Sequence, residues 1–263
     1  MGKTSLRQCM KLALETGRII LESGGATNRV ELVIHKVCSG LGYPDCESFV
    51  TPTGIFLTIS DGEEEMSTSI KRIDQRRMDL GKITEISRVV NCLYSGDCNE
   101  MTGGLTKHEY FAGELKRIIS DKPYPMWLTN ISGAATSGFF CLLFGGSWSE
   151  FGIAFVMGFL VSASLKYISR LPVNNFLLNA LAAALIVIIS KVMDIYVPFI
   201  RLDYIIIGGI MILVPGLQIV NAIRDTMSGD LVAGTARGME AIIITIGIVA
   251  GSGAMLKLWE LWS

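Results

Sequence analysis

Charged residues and histidines are scarce in this sequence. Only 18% of its 263 residues are charged, the formal net charge is -1, and there are two histidines. Since there is no basic block, we expect no nucleic-acid partner. The six cysteines form no C-x-x-C pair and no histidine pair accompanies them, so we expect reduced thiols and no metal site. No phosphate-binding loop motif and no nucleophile beside a base is visible, and we expect no cofactor.

Apolar residues, by contrast, are abundant. They make up 50% of the chain, and the mean hydropathy of +0.47 is too high for an ordinary soluble domain. Residues 1–122 carry most of the charge, while residues 123–263 form long apolar runs separated by short polar turns. We therefore predict a membrane protein with an N-terminal soluble, cytoplasmic α+β domain over residues 1–122 and an α-helical transmembrane domain over residues 123–263.

The soluble domain is predicted to combine four helices with a small sheet. Ser5 can cap the first helix, and Asn28 and Glu31 stand at capping-box spacing at the start of the second. Residues 51–54 read as the turn of a hairpin, and residues 96–104 as a turn between the last two helices. The predicted helices cover residues 5–22, 28–41, 79–95 and 106–119, and the predicted strands cover residues 47–50, 55–60 and 66–73.

Five apolar runs are long enough to be compared with the roughly 20 residues that span a bilayer. They cover residues 126–146, 151–168, 176–192, 204–220 and 239–258. With the N-terminal domain in the cytoplasm, that side of the membrane receives most of the lysines and arginines of the short loops. We therefore predict about five spans in a bacterial-type inner (plasma) membrane, with the N-terminus in the cytoplasm and the C-terminus outside.

Small residues recur within the predicted spans, notably over residues 133–138, 158–164, 180–184 and 247–253. Small side chains let helices approach one another closely, so these faces are expected to contact other helices rather than lipid. Five helices offer too few neighbours for so many small faces, which favours an oligomer or a second membrane subunit.

The fourth apolar run is interrupted by Pro215 and Gly216. Proline removes a backbone donor and glycine loosens the chain, and unpaired backbone groups inside a membrane need protein or water partners. A break of this kind indicates a cavity, and broken helices followed by polar residues bind substrate in many secondary transporters. A proline kink that only helps helices to pack is the alternative.

Several motifs, taken in order, resemble the threonine/serine exporter family. The resemblance is to the N-terminal module of that family, a cytoplasmic domain followed by about five spans, and it covers nearly the whole chain. The motifs are Glu-Ser-Gly-Gly-Ala-Thr-Asn-Arg-Val-Glu at residues 22–31, Thr-Pro-Thr-Gly at 51–54, Leu-Phe-Gly-Gly-Ser at 143–147, and Val-Pro-Gly-Leu at 214–217 followed by Asn221, Arg224-Asp225, Gly229-Asp230, Gly234 and Arg237.

The resemblance implies a transporter component rather than an enzyme. Single-chain members carry a second block of spans after this module, so this chain resembles the larger component of the two-chain, succinate-exporter-like form. Membership would imply export of threonine/serine-type amino acids or of dicarboxylates such as succinate, driven by the proton gradient. It would also imply a second, small polytopic membrane subunit of the same family as a partner.

The residues around the break are the candidates for binding a small carboxylate. Arginine side chains can form two parallel hydrogen bonds to a carboxylate, and backbone N–H groups freed near a helix break can add more. Asparagine side chains could bind hydroxyl or amino groups. The predicted substrate-binding set is Pro215, Gly216, Asn221, Arg224, Arg237, Asn174, Asn175 and Asn179.

Carboxylates near the break are the candidates for proton coupling. An acid shielded by protein beside a span can titrate near neutral pH, and Asp225, Asp230 and Glu240 meet this description in sequence. The alternative is that Arg224, Asp225, Asp230 and Arg237 belong to an ordinary cytoplasmic loop held by salt bridges.

The motif at residues 22–31 of the soluble domain allows a second interpretation of the function. Its spacing is typical of a junction between two helices, with caps and surface ion pairs. Glycines before a helix could instead admit an anion at the helix N-terminus, which would suit a membrane-anchored sensor or hydrolase-like enzyme. The residues concerned are Glu22, Gly24, Gly25, Thr27, Arg29 and Glu31.

Overall fold

The computed structural model describes residues 5–62, 66–74, 78–95, 105–169, 173–197 and 200–262. Its helices are α1 (Leu6–Glu22), α2 (Thr27–Gly40), α3 (Leu80–Ser95), α4 (Lys107–Ser120), α5 (Met126–Leu143), α6 (Trp148–Ile168), α7 (Asn175–Tyr196), α8 (Leu202–Ile210), α9 (Gly216–Met227) and α10 (Leu231–Trp262). Its strands are β1 (Cys46–Thr51), β2 (Gly54–Ser60) and β3 (Met66–Arg72). The predicted turn over residues 96–104 lies outside the described residues.

The chain divides into two compact units. The first consists of Met1–Lys122 together with Leu217–Gly238, and the second of Pro123–Gly216 together with Met239–Ser263. Helix α9 and the first eight residues of α10 therefore pack with the N-terminal part of the chain, although they follow several long apolar runs in sequence.

The first unit contains an antiparallel sheet in the order β1-β2-β3. Val50 pairs with Ile55 and Thr51 with Gly54, which confirms the predicted hairpin, and β3 pairs with β2 as the predicted third strand. Burial alternates along β2 because successive side chains point to opposite faces. The buried face packs against α1 and α2, and α3 and α4 contribute to the same apolar core.

Side-chain caps define where two helices of the first unit begin. Ser5 caps α1 as predicted, and Thr106 caps α4, each in a full capping box. The capping box predicted from Asn28 and Glu31 is wrong. Helix α2 has Ala26 at its N-cap position with no side-chain hydrogen bond, because Asn28 and Glu31 bind other partners described below.

The cysteines differ in state. Cys9, Cys38, Cys46 and Cys141 are free thiols, as expected. Cys92, in the last turn of α3, is disulfide-bonded, so the expectation of reduced thiols is wrong there. Cysteine spacing gave no signal for this bond, since it requires proximity in the fold rather than a C-x-x-C motif.

In the part of the chain that the structure describes, three helices are long and apolar enough to cross a membrane. They are α6, α7 and α10, whereas α5 does not reach the same hydropathy. The five predicted spans are thus not confirmed as a count. The fourth predicted run is interrupted as its sequence indicated: α8 has nine residues, or roughly 14 Å, and after residues 211–215 the chain continues as α9.

Small residues bring the helices of the second unit close together. A Cβ atom at Gly158 of α6 would lie 2.6 Å from the Ser137 Cβ of α5, and one at Gly251 of α10 would lie 2.0 Å from the Ala180 carbonyl oxygen of α7. Neither position has room for a side chain. The small faces noted in the sequence therefore contact neighbouring helices within this unit.

Candidate functional site

The candidate site has two halves, and the first is the tight turn that joins α1 to α2. Gly24 has a φ of +95°, which is the left-handed conformation that commonly ends a helix and that favours glycine. The Gly25 N–H donates to the Ile20 carbonyl at 2.9 Å. A Cβ atom at Gly25 would lie 2.5 Å from the Ile20 side chain. Glycine is thus required at both positions, because the chain turns back tightly against the end of α1.

Helix α9 and the start of α10 form the second half of the site. The turn between them contains Gly229, whose φ is +88°, and Asp230, whose Oδ1 accepts from the Ala233 N–H at 3.1 Å and caps α10. A Cβ atom at Gly234 would lie 2.1 Å from the Thr226 hydroxyl, so the absence of a side chain allows α10 to pack directly on α9.

Four of the hydrogen bonds that join the two halves involve buried or half-buried residues of the first unit. The Asn221 side chain donates to the Gly24 carbonyl at 2.9 Å, and the Arg237 Nη2 donates to the Gly25 carbonyl at 2.8 Å. The Thr27 N–H donates to Asp225 Oδ1 at 3.2 Å, and the Thr27 hydroxyl donates to Asp230 Oδ2 at 2.7 Å. We call these seven residues the turn–helix junction: Gly24, Gly25, Thr27, Asn221, Asp225, Asp230 and Arg237.

A buried ion pair lies at the centre of the turn–helix junction. The Arg237 Nε is 3.1 Å from Asp225 Oδ2, and the two side chains are 7% and 0% exposed. Each charge also has a second hydrogen-bonded partner, Gly25 for Arg237 and Thr27 for Asp225. Because an isolated buried charge is very costly, each of these two residues depends on the other.

Glu31 lies beside the junction and adds to its negative charge. Its Oε1 accepts from the Val50 N–H at 3.0 Å. Desolvation by burial raises the pKa of Glu31, and repulsion from Asp230 and Asp225 raises it further, while the hydrogen bond from Val50 acts in the opposite direction. The side chain thus binds a proton more readily than an exposed glutamate.

The remaining residues of the predicted soluble-domain motif make local surface contacts. Glu22 accepts from Arg18 of the same helix at 2.8 Å, and Arg29 donates to the Ser87 hydroxyl at 2.8 Å. Glu22 thus forms an ion pair within α1, as expected for a helix junction, whereas Arg29 contacts a hydroxyl of α3 rather than a carboxylate.

The other predicted substrate-binding and proton-coupling residues are spread over both units. Arg224 lies exposed in the last turn of α9. Asn174 caps α7 by accepting from the Leu177 N–H at 2.9 Å, and the Asn179 side chain donates to the Asn175 carbonyl at 2.7 Å. Pro215, Gly216 and Glu240 belong to the second unit. The structure therefore brings together only part of the predicted site.

From the sequence, residues 22–31 and the residues after the break are predicted as two separate candidate sites. In the structure these two segments, about 200 residues apart in sequence, are in contact. A further hydrogen bond of 2.9 Å joins them, from the Asn28 side chain to the Ser228 hydroxyl. Ser228 was not singled out, since a serine in a turn carries no sequence signal for a distant partner. Among the described residues, no three His, Cys, Asp or Glu side chains are placed to hold a metal ion.

Comparisons with known proteins show the family of this chain. A family described as "Putative threonine/serine exporter" matches residues 11–259. The threonine/serine exporter of Corynebacterium glutamicum is 25% identical over 96% of this chain, which spans 51% of that protein. The probable succinate transporter subunit YjjP of Escherichia coli K12 is 26% identical over 97% of this chain and 96% of its own length. No solved structure matches the chain.

Proposed function

Because this chain belongs to the threonine/serine exporter family, we propose that it is a subunit of a secondary-active exporter of small carboxylates. The substrates are threonine/serine-type amino acids or dicarboxylates such as succinate, and a second small polytopic membrane subunit of the same family completes the transport path. The observation that carries this proposal is the extent of the similarity to the two relatives. The similarity covers 96% of the succinate transporter subunit but only 51% of the Corynebacterium exporter.

The proposed location is the inner (plasma) membrane, with the first unit in the cytoplasm and the C-terminus outside. The three long apolar helices support insertion in a bilayer. About five spans require that α5 and the segment around α8 also lie at membrane depth. Their glycine-rich contacts support this, since Gly208 of α8 packs directly against the backbone of α5 at Ser137.

We call residues 224–237 the charged segment. Arg224 is its proposed carboxylate-binding residue. It is exposed in the last turn of α9, whereas Arg237 is occupied by Asp225 and by the Gly25 carbonyl. Pro215, Gly216, Asn221, Asn174, Asn175 and Asn179 remain proposed substrate contacts, on the argument that polar groups near a helix break face the transport path.

Proton coupling is proposed at Asp225 and Asp230, with Glu240 as a further acceptor. Protonation of Asp225 would remove the negative charge that holds Arg237, since a neutral carboxyl attracts a guanidinium far less strongly. The separation of that pair would release the Arg237 guanidinium for a substrate carboxylate. Proton binding and substrate binding would then occur at the same group of residues.

Transport by the purified protein tests the proposed function. Proteoliposomes loaded with labelled threonine, serine or succinate should show efflux under an imposed pH gradient when this chain is reconstituted with its small partner subunit. Efflux should fall when the pH gradient is collapsed. Efflux from this chain alone would contradict the need for a partner, and no efflux of any of the three compounds would contradict the proposal.

Two neighbouring substitutions separate binding from folding. Arg224→Ala should abolish export while membrane insertion and stability stay normal, because Arg224 is exposed. Asp225→Asn should abolish export and also destabilise the first unit, because Asp225 is buried and paired. Full export by both variants would remove these residues from the site. The family is one of transporters and not of enzymes.

A further inference from the structure

Strand β3 has an edge that no other strand occupies in the part of the chain that the structure describes. β3 pairs with β2 on one side only. Its other side presents a row of backbone N–H and C=O groups that can pair with an added strand. The centre of this strand, Ser67-Thr68-Ser69-Ile70, carries no charge that would oppose such pairing.

There is room for a strand beside this edge. A groove of about 550 Å³ lies between β3 and α1, with Ser67–Lys71 on one wall and Arg7, Lys11 and Glu15 on the other. On the opposite face of the sheet, Met66 and Ile70 are 72% and 64% exposed. An added strand would cover part of both apolar side chains.

We propose that a second copy of this chain occupies this edge, with the two β3 strands paired antiparallel about a two-fold axis at Ser69. The paired strands join the two sheets into one of six strands. All seven residues of each strand are paired in this register, and opposed residues share a face because their positions differ by an even number. The opposed pairs are Met66 with Arg72, Ser67 with Lys71, Thr68 with Ile70, and Ser69 with itself.

The order of charges along the chain favours an antiparallel copy of the same strand. Asp61 and three glutamates precede Met66 in the sequence, whereas Lys71 and Arg72 end the strand. In an antiparallel pair the basic end of one strand lies away from the basic end of the other, and no two like charges are opposed within the strand. Two-fold homodimers use the same surface on both subunits, as this register does.

Ser48 provides a matched control for Ser69. Both residues pair with Leu57, from the two sides of β2, and both are half-buried. Ser69 lies on the proposed interface edge and Ser48 on the opposite edge. In the proposed dimer, the two Ser69 Cα atoms lie about 4.5–5.5 Å apart, within the range of Cα separations that disulfides have. The two Ser48 residues lie about 24 Å apart, across five strand spacings.

Oxidative crosslinking of the full-length chain tests the proposal. Ser69→Cys, mildly oxidised in membranes, should give a disulfide-linked dimer on a non-reducing gel. Ser48→Cys should stay at the level of the parent, which sets the baseline for the native cysteines. Equal crosslinking of the two variants, or none above the parent, would overturn the proposal. A disulfide from Ser69→Cys to a different membrane protein would also overturn it, in favour of a partner subunit at this edge.

A charge variant tests the same edge without oxidation. Ser69→Lys places two lysines opposite each other at the two-fold axis, so self-association measured by light scattering in detergent should weaken at least tenfold. Ser48→Lys should leave it unchanged. Self-association of Ser69→Lys at the parent level would place the dimer interface elsewhere and refute the proposed pairing.

Discussion

Asp225→Asn is the sharpest perturbation of the turn–helix junction. Asparagine keeps a side-chain oxygen that can accept from the Thr27 N–H, but it removes the negative charge that faces the Arg237 Nε at 3.1 Å. The shape of the site is therefore almost unchanged. What changes is the electrostatic balance of two side chains that are nearly inaccessible to solvent.

The size of the effect follows from burial. Neutralising one partner of a buried ion pair leaves the other charge uncompensated and costs about 3–5 kcal/mol. Arg237 keeps its hydrogen bond to the Gly25 carbonyl, so we expect the lower end of that range. A loss of about 3 kcal/mol corresponds to a change of roughly 100-fold or more in the equilibrium for local opening of the turn, at 1.4 kcal/mol per factor of ten.

Hydrogen exchange is the appropriate assay. All four tryptophans, at positions 127, 148, 259 and 262, belong to the second unit, so intrinsic tryptophan fluorescence does not report on the junction. The amides of the α1–α2 turn, including Gly24 and Gly25, are hydrogen-bonded within the turn. In peptides that cover this turn, Asp225→Asn should raise their exchange rates by roughly 100-fold.

Two further variants control this experiment. Arg224→Gln changes a neighbouring charge that is exposed, and it should change the exchange rates by no more than about twofold. The double variant Asp225→Asn/Arg237→Met removes both charges and should recover much of the lost protection, because no unpaired buried charge remains. Unchanged exchange in Asp225→Asn would refute the ion pair as a stabilising contact. Additive losses in the double variant would refute the coupling.

Three other substitutions test separate parts of the structure. Glu31→Gln should protect the first unit more, relative to the parent, at pH 8 than at pH 4. The raised pKa of Glu31 means that the folded protein binds a proton at this residue more readily than the unfolded protein does. The parent therefore loses stability as the pH rises through the ordinary glutamate range up to the folded pKa. An equal gain in protection at both pH values would contradict this. Thr27→Val removes the donor to Asp230 and should cost about 1–2 kcal/mol by hydrogen exchange, whereas Thr27→Ser should cost less. Gly158→Ala should lower the thermal midpoint followed by tryptophan fluorescence, because overpacking costs about 1–3 kcal/mol, while Gly152→Ala on the same helix, with open space around it, should not.

The sequence was informative wherever local chemistry decides the structure. Ser5 could be identified as a cap from its position before an apolar helix, and the turn at residues 51–54 from its glycine between two β-rich runs. The break at Pro215 was visible because proline cannot continue a helix. Each of these features depends on residues within four positions of one another, and the same stretch of sequence therefore contains both the cause and the effect.

The predictions failed where distant contacts override local preference. Asn28 and Glu31 have the spacing of a capping box, yet Asn28 donates to Ser228 and Glu31 accepts from the Val50 N–H. Residues 217–220 read as the end of an apolar run, but they belong to an amphipathic helix that packs in the first unit. Local periodicity contains no information about which partner, about 200 residues away, a polar side chain will find.

The two arginines of the charged segment have the same chemistry in the sequence, but the fold separates their roles. Arg237 is surrounded by Asp225 and the Gly25 carbonyl, so any substrate carboxylate would have to compete with an existing buried partner. Arg224 is exposed and can meet a carboxylate at no such cost. A substrate carboxylate would therefore bind Arg224 first, and it would reach Arg237 only if the Asp225–Arg237 pair separates.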